Sequence, residues 1–433
     1  MGARRRLSLP LILSLVLASC GPFGQSPKET AQTPAAGGGE PVPISFATMG
    51  KINSELAEKL QKRFPEIEFR FVSLDVNQMP ALYAQNNVPD IVMDIDRVLT
   101  PPHLLDKIQF DLSPLIKQHG LKLEAFEPGL IQHVKAYGDK GQMYALPYSR
   151  FLYGLFYNKN VFDKLGEPYP AENMNWDQVL ELAKKMSRTD GGVAYRGFDP
   201  LVTDVAYIAF MDQFSLNLVD VATNKATTTS AEWKRMASLF RSIYDIPGNR
   251  PAKDQLFRSQ NFYQNGTVAM TIGYSLDPLV RGARGGQNID LVAYPVLPES
   301  PGIGPGTRTE NLMITSSAKN KSKAFEVLKF LVSEEVQTEN SRKGIGTVLN
   351  DERIMRVMGA DVEAAQGKNV QALFRNKLPP IPTISKYEGV AFIVASSFVP
   401  DLAMDEESVD EVLKKMETQI NAAVAAEKAR EAN

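Results

Sequence analysis

Residues 141–158 read GQMYALPYSRFLYGLFYN, and the fold turns on how this stretch is interpreted. The run Gly138-Asp139-Lys140-Gly141 is a turn signal ahead of it. Side chains then alternate, with Met143, Ala145 and Pro147 on one side and Tyr144, Leu146 and Tyr148 on the other. Ser149-Arg150 interrupts the pattern. Residues 151–157 are almost wholly apolar or aromatic, as in a strand covered by helices on both faces. Two readings fit. One is an ordinary central strand entered by a loop. The other is a segment that leaves one α/β lobe at Tyr148-Ser149-Arg150 and enters a second.

Upstream, residues 44–47 alternate as a strand and run into Thr48-Met49-Gly50. Asn53 or Ser54 caps a helix in which Ile52, Leu56, Leu60 and Phe64 recur every fourth residue, and Pro65 stops it. Ile67, Phe69 and Phe71 mark the next strand, residues 81–84 a helix, and residues 89–96 a strand that runs into Asp94, Asp96 and Arg97. This β-α-β order predicts a parallel sheet in an α/β protein. Ligands of such sheets sit beyond the carboxyl ends of the strands, so Thr48, Met49, Asp94, Asp96 and Arg97 are candidate contacts on one rim. Two Asp residues in one loop also suit a metal or an acid/base pair, but a hard cation needs more oxygen ligands than this loop offers. No metal or cofactor is expected.

Downstream, residues 158–165 form a short helix closed by Gly166, and Asn175 to Gln178 has capping-box spacing. Trp176 is read as a packing anchor. Thr203-Asp204 precedes an apolar helix, where Asp204 and Tyr207 are candidate contacts and simple capping is the competing role. Residues 268–275 form a strand ending in Gly273, Tyr274 and Ser275, a third candidate loop. Strands follow at 289–295 and 311–316. Helices begin at Ser322 and Val390, and the last, from Ser408, has Val409, Val412, Leu413, Met416, Ile420 and Val424 on one face.

The 433 residues are 43% hydrophobic and 23% charged, ordinary globular values with room for two α/β domains. A net charge of −2 leaves no basic footprint, so nucleic acid is not an expected partner. Arg4-Arg5-Arg6, an apolar run over 7–17 too short to span a bilayer, and Leu17-Ala18-Ser19-Cys20 follow in order. The LASC tetrapeptide resembles the bacterial lipobox. That resemblance implies a signal peptide over 1–20, lipidation of Cys20, and a protein anchored on the outer face of the cell membrane. Cys20 is the chain's single cysteine, so intramolecular disulfides and thiol catalysis are excluded. Residues 21–43 are rich in Gly, Pro, Ser, Thr and Ala and read as a tether, reaching about 25 Å as flexible coil. The three histidines, His103, His119 and His133, are widely spaced, and neither a P-loop nor an H-E-x-x-H motif is present. Catalysis is not expected.

Taken together, the lipobox, the tether and the ordered segments ISFATMG, PDIVMDID, GQMYALPYS, LFYNKNVF, NWDQVLELAKKM, NGTVAMTIGYS, LVAYPVLP and LMITSSAKNKSKAFEVLKFL resemble the extracellular solute-binding proteins of ABC importers, of the type that includes maltose-binding protein. The resemblance covers the body from Ile44 onward. It implies a type II periplasmic-binding-protein fold, with two α/β lobes joined by three crossing segments that close on a solute. By that analogy the crossings are the opening stretch, residues 269–274 and residues 312–316. Lobe 1 is then 44–150 with 271–317, and lobe 2 is 151–270 with 318–433.

The same resemblance implies that Asp96-Arg97 grip hydroxyls, that Tyr274 and Ser275 lie in a second ligand loop, and that residues 381–392 (IPTISKYEGVAF) present a stacking aromatic. Here Glu388 occupies that last position, with Tyr387 beside it. Tyr148, Arg150 and Glu310 complete the expected contacts. The implied function is delivery of a small polar solute, an oligosaccharide first, to an ABC permease by a monomer. The rivals are a receptor for a peptide or organic anion and a secreted hydrolase using the Asp pair. In a glycosidase two carboxyl groups must flank one bond at roughly 5 to 9.5 Å, which residues two apart at a strand end meet only by accident.

Overall fold

The computed structural model describes residues 40–49, 52–74, 87–95, 108–138, 140–200, 203–252, 256, 258–404 and 407–432. Among these the strands are β1 (Val42–Met49), β2 (Ile67–Leu74), β3 (Ile91–Ile95), β4 (Leu146–Arg150), β5 (Tyr153–Asn158), β6 (Arg188–Asp190), β7 (Val193–Phe198), β8 (Val268–Tyr274), β9 (Ile289–Ala293) and β10 (Thr309–Ile314). They form two five-stranded sheets within the compact unit Pro41–Asn433. The first has the order β2-β1-β3-β10-β4, with β1 parallel to β2 and β3, and β10 antiparallel to β3 and β4. The second has the order β6-β7-β8-β5-β9.

Each element follows from local chemistry. Ile44, Phe46 and Ala47 are buried because β1 lies inside its sheet, covered on both faces. The helix Ser54–Arg63 starts where the Asn53 side chain accepts the Glu55 N–H at 2.9 Å, and it buries Leu60. The helix Trp176–Met186 opens with the expected capping box between Asn175 and Gln178. Trp176 is the anchor the sequence suggested. Its ring stacks on Phe210 at 4.6 Å, and its Nε1 donates to Gln213 Oε1 at 2.9 Å.

All five residues of β4 and all six of β5 are buried, and only Phe151-Leu152 separates the two strands. The opening stretch therefore leaves one sheet and enters the other. The other two expected crossings lie elsewhere. Residues 269–274 belong to β8, a central strand of the second sheet between β7 and β5. Residues 312–314 belong to β10, between β3 and β4 of the first. The chain instead returns to the first sheet between Ala293 and Thr309.

The helix Lys321–Leu331 places Ala324, Phe325 and Leu328 in the core of the first sheet, as do Val348 and Ile354 further on. Met358, Val370 and Leu373 pack with Phe156 and Leu291 of the second sheet, so the third crossing runs between Ile354 and Met358. Residues 271–293, expected in lobe 1, thus pack with the second sheet, and residues 318–354, expected in lobe 2, pack with the first. An apolar strand or amphipathic helix fits either sheet until its neighbours are in place. The final helix Val409–Ala432 buries Val412, Leu413, Met416, Ile420 and Val424 in the second core.

Candidate functional site

The ends of both sheets converge where the chain crosses. Parallel strands β1 and β3 end at Met49 and Ile95, and antiparallel β10 begins beside them, pairing Glu310 with Ile95. On the second sheet Tyr153 opens β5 opposite Tyr274, which closes β8. The crossing is held by backbone bonds. Phe151 N–H donates to Arg308 O at 2.9 Å, Ser275 N–H to Leu152 O at 2.6 Å, and Arg150 N–H to Gly346 O at 3.0 Å. The Thr307 hydroxyl adds a bond to Phe151 O at 2.6 Å.

The side chains gathered here combine oxygen acceptors with aromatic faces. The Ser149 hydroxyl donates to Glu310 Oε2 at 2.5 Å. Thr48 is buried on β1, while Asp94, buried and accepting the Ile95 N–H at 2.7 Å, pairs with Asn311 and so faces the other side of the sheet from Glu310. Phe151 and Tyr274, both half-buried, stack at 4.7 Å with an interplanar angle of 14°. Ser275 follows with φ of 50°, a left-handed conformation that turns the chain sharply after β8. Phe151 was hidden from sequence reasoning inside an apolar run, and its ring contact is a tertiary fact.

The remaining expected contacts are distributed differently. Met49 ends β1, and Asp204 lies in the first turn of the helix Thr203–Gln213. Asp96, Arg97 and Cys20 lie outside the described residues. Tyr148 packs in the first core beside a register shift between β4 and β10, and Arg150 closes the strand. Burial raises the Tyr148 phenol, which bonds Asn340, and the Arg150 guanidinium stands 5.8 Å from the Phe374 ring.

Tyr207 and Tyr387 are corrections. Tyr207 has no exposed surface; its ring packs 6.3 Å from Trp233 and its hydroxyl meets Met416 Sδ at 3.9 Å. Tyr387 is 3% exposed and donates to Glu431 of the last helix at 2.9 Å. In both cases burying a large ring in the second core outweighs exposing it at a rim. Glu388 is structural too. Its carboxylate accepts the N–H groups of Leu218 at 2.7 Å and Val219 at 3.2 Å. Burial pushes it up to about 7, with Asp212 adding to the rise against those two bonds.

Among the described residues no cluster of three or more His, Cys, Asp or Glu could hold a metal, and no helix is long and apolar enough to cross a membrane. The fold and its convergent rims define a two-lobed binding protein. The bacterial extracellular solute-binding protein family matches residues 47–338, and the chain belongs to it.

A putative binding protein of Brucella abortus (strain 2308) is 25% identical over 283 residues, which cover 63% of this chain and 66% of the relative's own length. Among solved structures, the ABC substrate-binding protein Lmo0181 from Listeria monocytogenes, in complex with cycloalternan, superposes with a TM-score of 0.71 at 16% identity. It covers 89% of this chain and 100% of its own. The sugar-binding protein MalE from Xanthomonas citri gives 0.69 at 18%, covering 89% and 98%. UgpB from Mycobacterium tuberculosis, in complex with glycerophosphocholine, gives 0.66 at 16%, covering 90% and 100%. These likenesses show the fold, that of type II periplasmic binding proteins.

Proposed function

We propose that this protein is the solute-binding component of an ABC importer, anchored through lipid on Cys20, and that it captures an oligosaccharide between its two lobes for delivery to the permease. The observation that carries this reading is the Ser149–Glu310 pair beside the stacked Phe151–Tyr274 rings, where the sheet ends meet. Sugars offer hydroxyls to carboxylates and apolar ring faces to aromatics, and this arrangement supplies both. Thr48, Met49, Asp94, Asp96, Arg97, Asp204 and Ser275 would add further solute contacts.

Lobe 1 would comprise residues 44–150 and 309–354, and lobe 2 residues 153–293 and 358–433. The protein would act as a monomer and by closure, without turnover, because a solute that touches both lobes favours the closed state. A thermal-shift panel on the full chain tests this, with oligosaccharides, peptides, organic anions and glycerophosphocholine as its arms. A saccharide at a hundred times its dissociation constant should add about 2.7 kcal/mol. Saccharides without effect beside a stabilising peptide or anion would overturn the sugar assignment.

A further inference from the structure

Arg150 closes β4 and is 6% exposed. Because side chains alternate along a strand, it faces away from Ser149 and Glu310. On its own side it meets Phe374, 5.8 Å from guanidinium carbon to ring centroid, and its Nε has no hydrogen-bond partner. Phe374 packs with the second sheet, so a buried cation of the first sheet rests on a ring of the second, behind the crossing strand. Burial lowers the guanidinium to about 10.

The neighbouring backbone is held firmly on the first-sheet side. Gln337, with no exposed surface, donates to Tyr148 O at 2.8 Å and Leu331 O at 3.3 Å. Its Oε1 accepts the Thr347 hydroxyl and the Val348 N–H, both at 3.0 Å. Gly346 touches the crossing directly, since a Cβ there would lie 2.2 Å from Arg150 O. The backbone before the crossing is thus tied to the first-sheet side, right up to the Arg150 side chain.

We propose that Arg150 is a hinge-positioning residue whose seat on Phe374 sets the balance between the lobe arrangement seen here and a second arrangement in which its Nε gains a polar partner. Two effects oppose each other. The ring attracts the cation, favouring the present arrangement. The unpartnered buried donor disfavours it, and is the larger effect. This inference rests on the reading of the protein as a two-lobed receptor, but its test uses no solute, so a failed saccharide panel and a failed hinge assignment are distinguishable.

The test is electron-electron resonance between spin labels at Lys62→Cys and Lys185→Cys, which sit on exposed helix positions of the first and second sheets. It uses the full chain, with Cys20→Ala removing the only other thiol. Arg150→Met keeps the bulk and removes the orphan donor, and should move the distance populations toward the present arrangement by about tenfold. Phe374→Leu keeps the guanidinium, so it carries the test if Arg150→Met does not fold, and should move them the other way by about threefold. Arg150→Lys should stay near the parent. Distances unchanged in every variant that folds, with only the melting temperature lowered, would make Arg150 a packing residue and overturn the proposal.

Discussion

The two sheets use their polar residues differently. On the first, Thr48, Asp94, Ser149 and Glu310 lie at strand ends around the crossing. On the second, polar groups are drawn into the framework. Arg196 pairs with buried Asp199 at 2.5 Å, Asn249 bonds both backbone groups of Phe198, and Glu388 ties down residues 218–219. The second rim contributes mainly the rings of Phe151 and Tyr274. On the proposed reading, hydroxyl recognition would rest on the first lobe and aromatic walls on the second.

That division can be broken experimentally. The largest effect is expected for Trp176→Ala, which removes the Phe210 stack and the bond to Gln213. It should cost about 3–5 kcal/mol in urea unfolding, and a loss below about 1 kcal/mol would deny the second core its weight.

Next is Glu388. Its carboxyl is raised from 4.5 to about 7 in the fold, so the folded state binds the proton more tightly than the unfolded chain. The stability this contributes is fully present below pH 4.5 and is lost as pH rises through 7, roughly 3 kcal/mol in all. Melting curves from pH 4.5 to 8 should show this slope in the parent and not in Glu388→Gln; parallel curves would contradict it.

Gly346→Ala should cost about 1–3 kcal/mol, because the new methyl group meets the Arg150 carbonyl and neither backbone can yield easily. Chemical unfolding checks this. The smallest stability effect is expected for Glu310→Gln at the half-exposed rim, below about 1 kcal/mol. Its effect should appear instead in a reduced saccharide-induced melting shift, and an unaltered shift would remove Glu310 from the polar wall.

Much of the local structure was legible in the chain. The capping box at Asn175 and the four-residue spacing through Leu60 are short-range patterns, and both helices formed where they pointed. The alternation over 143–148, in contrast, marked a strand that forms over Leu146–Arg150, through the expected break at Ser149-Arg150. Sheet membership was less legible. Residues 268–275 read as a strand and β8 forms over Val268–Tyr274, but pairing with β5 and β7 makes this expected crossing a central strand of the second sheet. The helix Lys321–Leu331 is apolar on one side whichever sheet it covers.

The candidate site was readable only in part. Glu310 and Tyr274 could be named, but their partners Ser149 and Phe151 are 161 and 123 residues away in the chain and meet only after folding. Tyr207 and Tyr387 show the converse. An aromatic near polar residues looks like a contact until a core claims it.

The central claim is that a solute is closed between the two rims. Small-angle scattering of the full chain, with and without the saccharide that stabilises it most, tests this directly. A smaller radius of gyration is expected at saturation, and a smaller contraction for Glu310→Gln at the same saccharide concentration. A saturating saccharide that leaves the radius unchanged would contradict that claim.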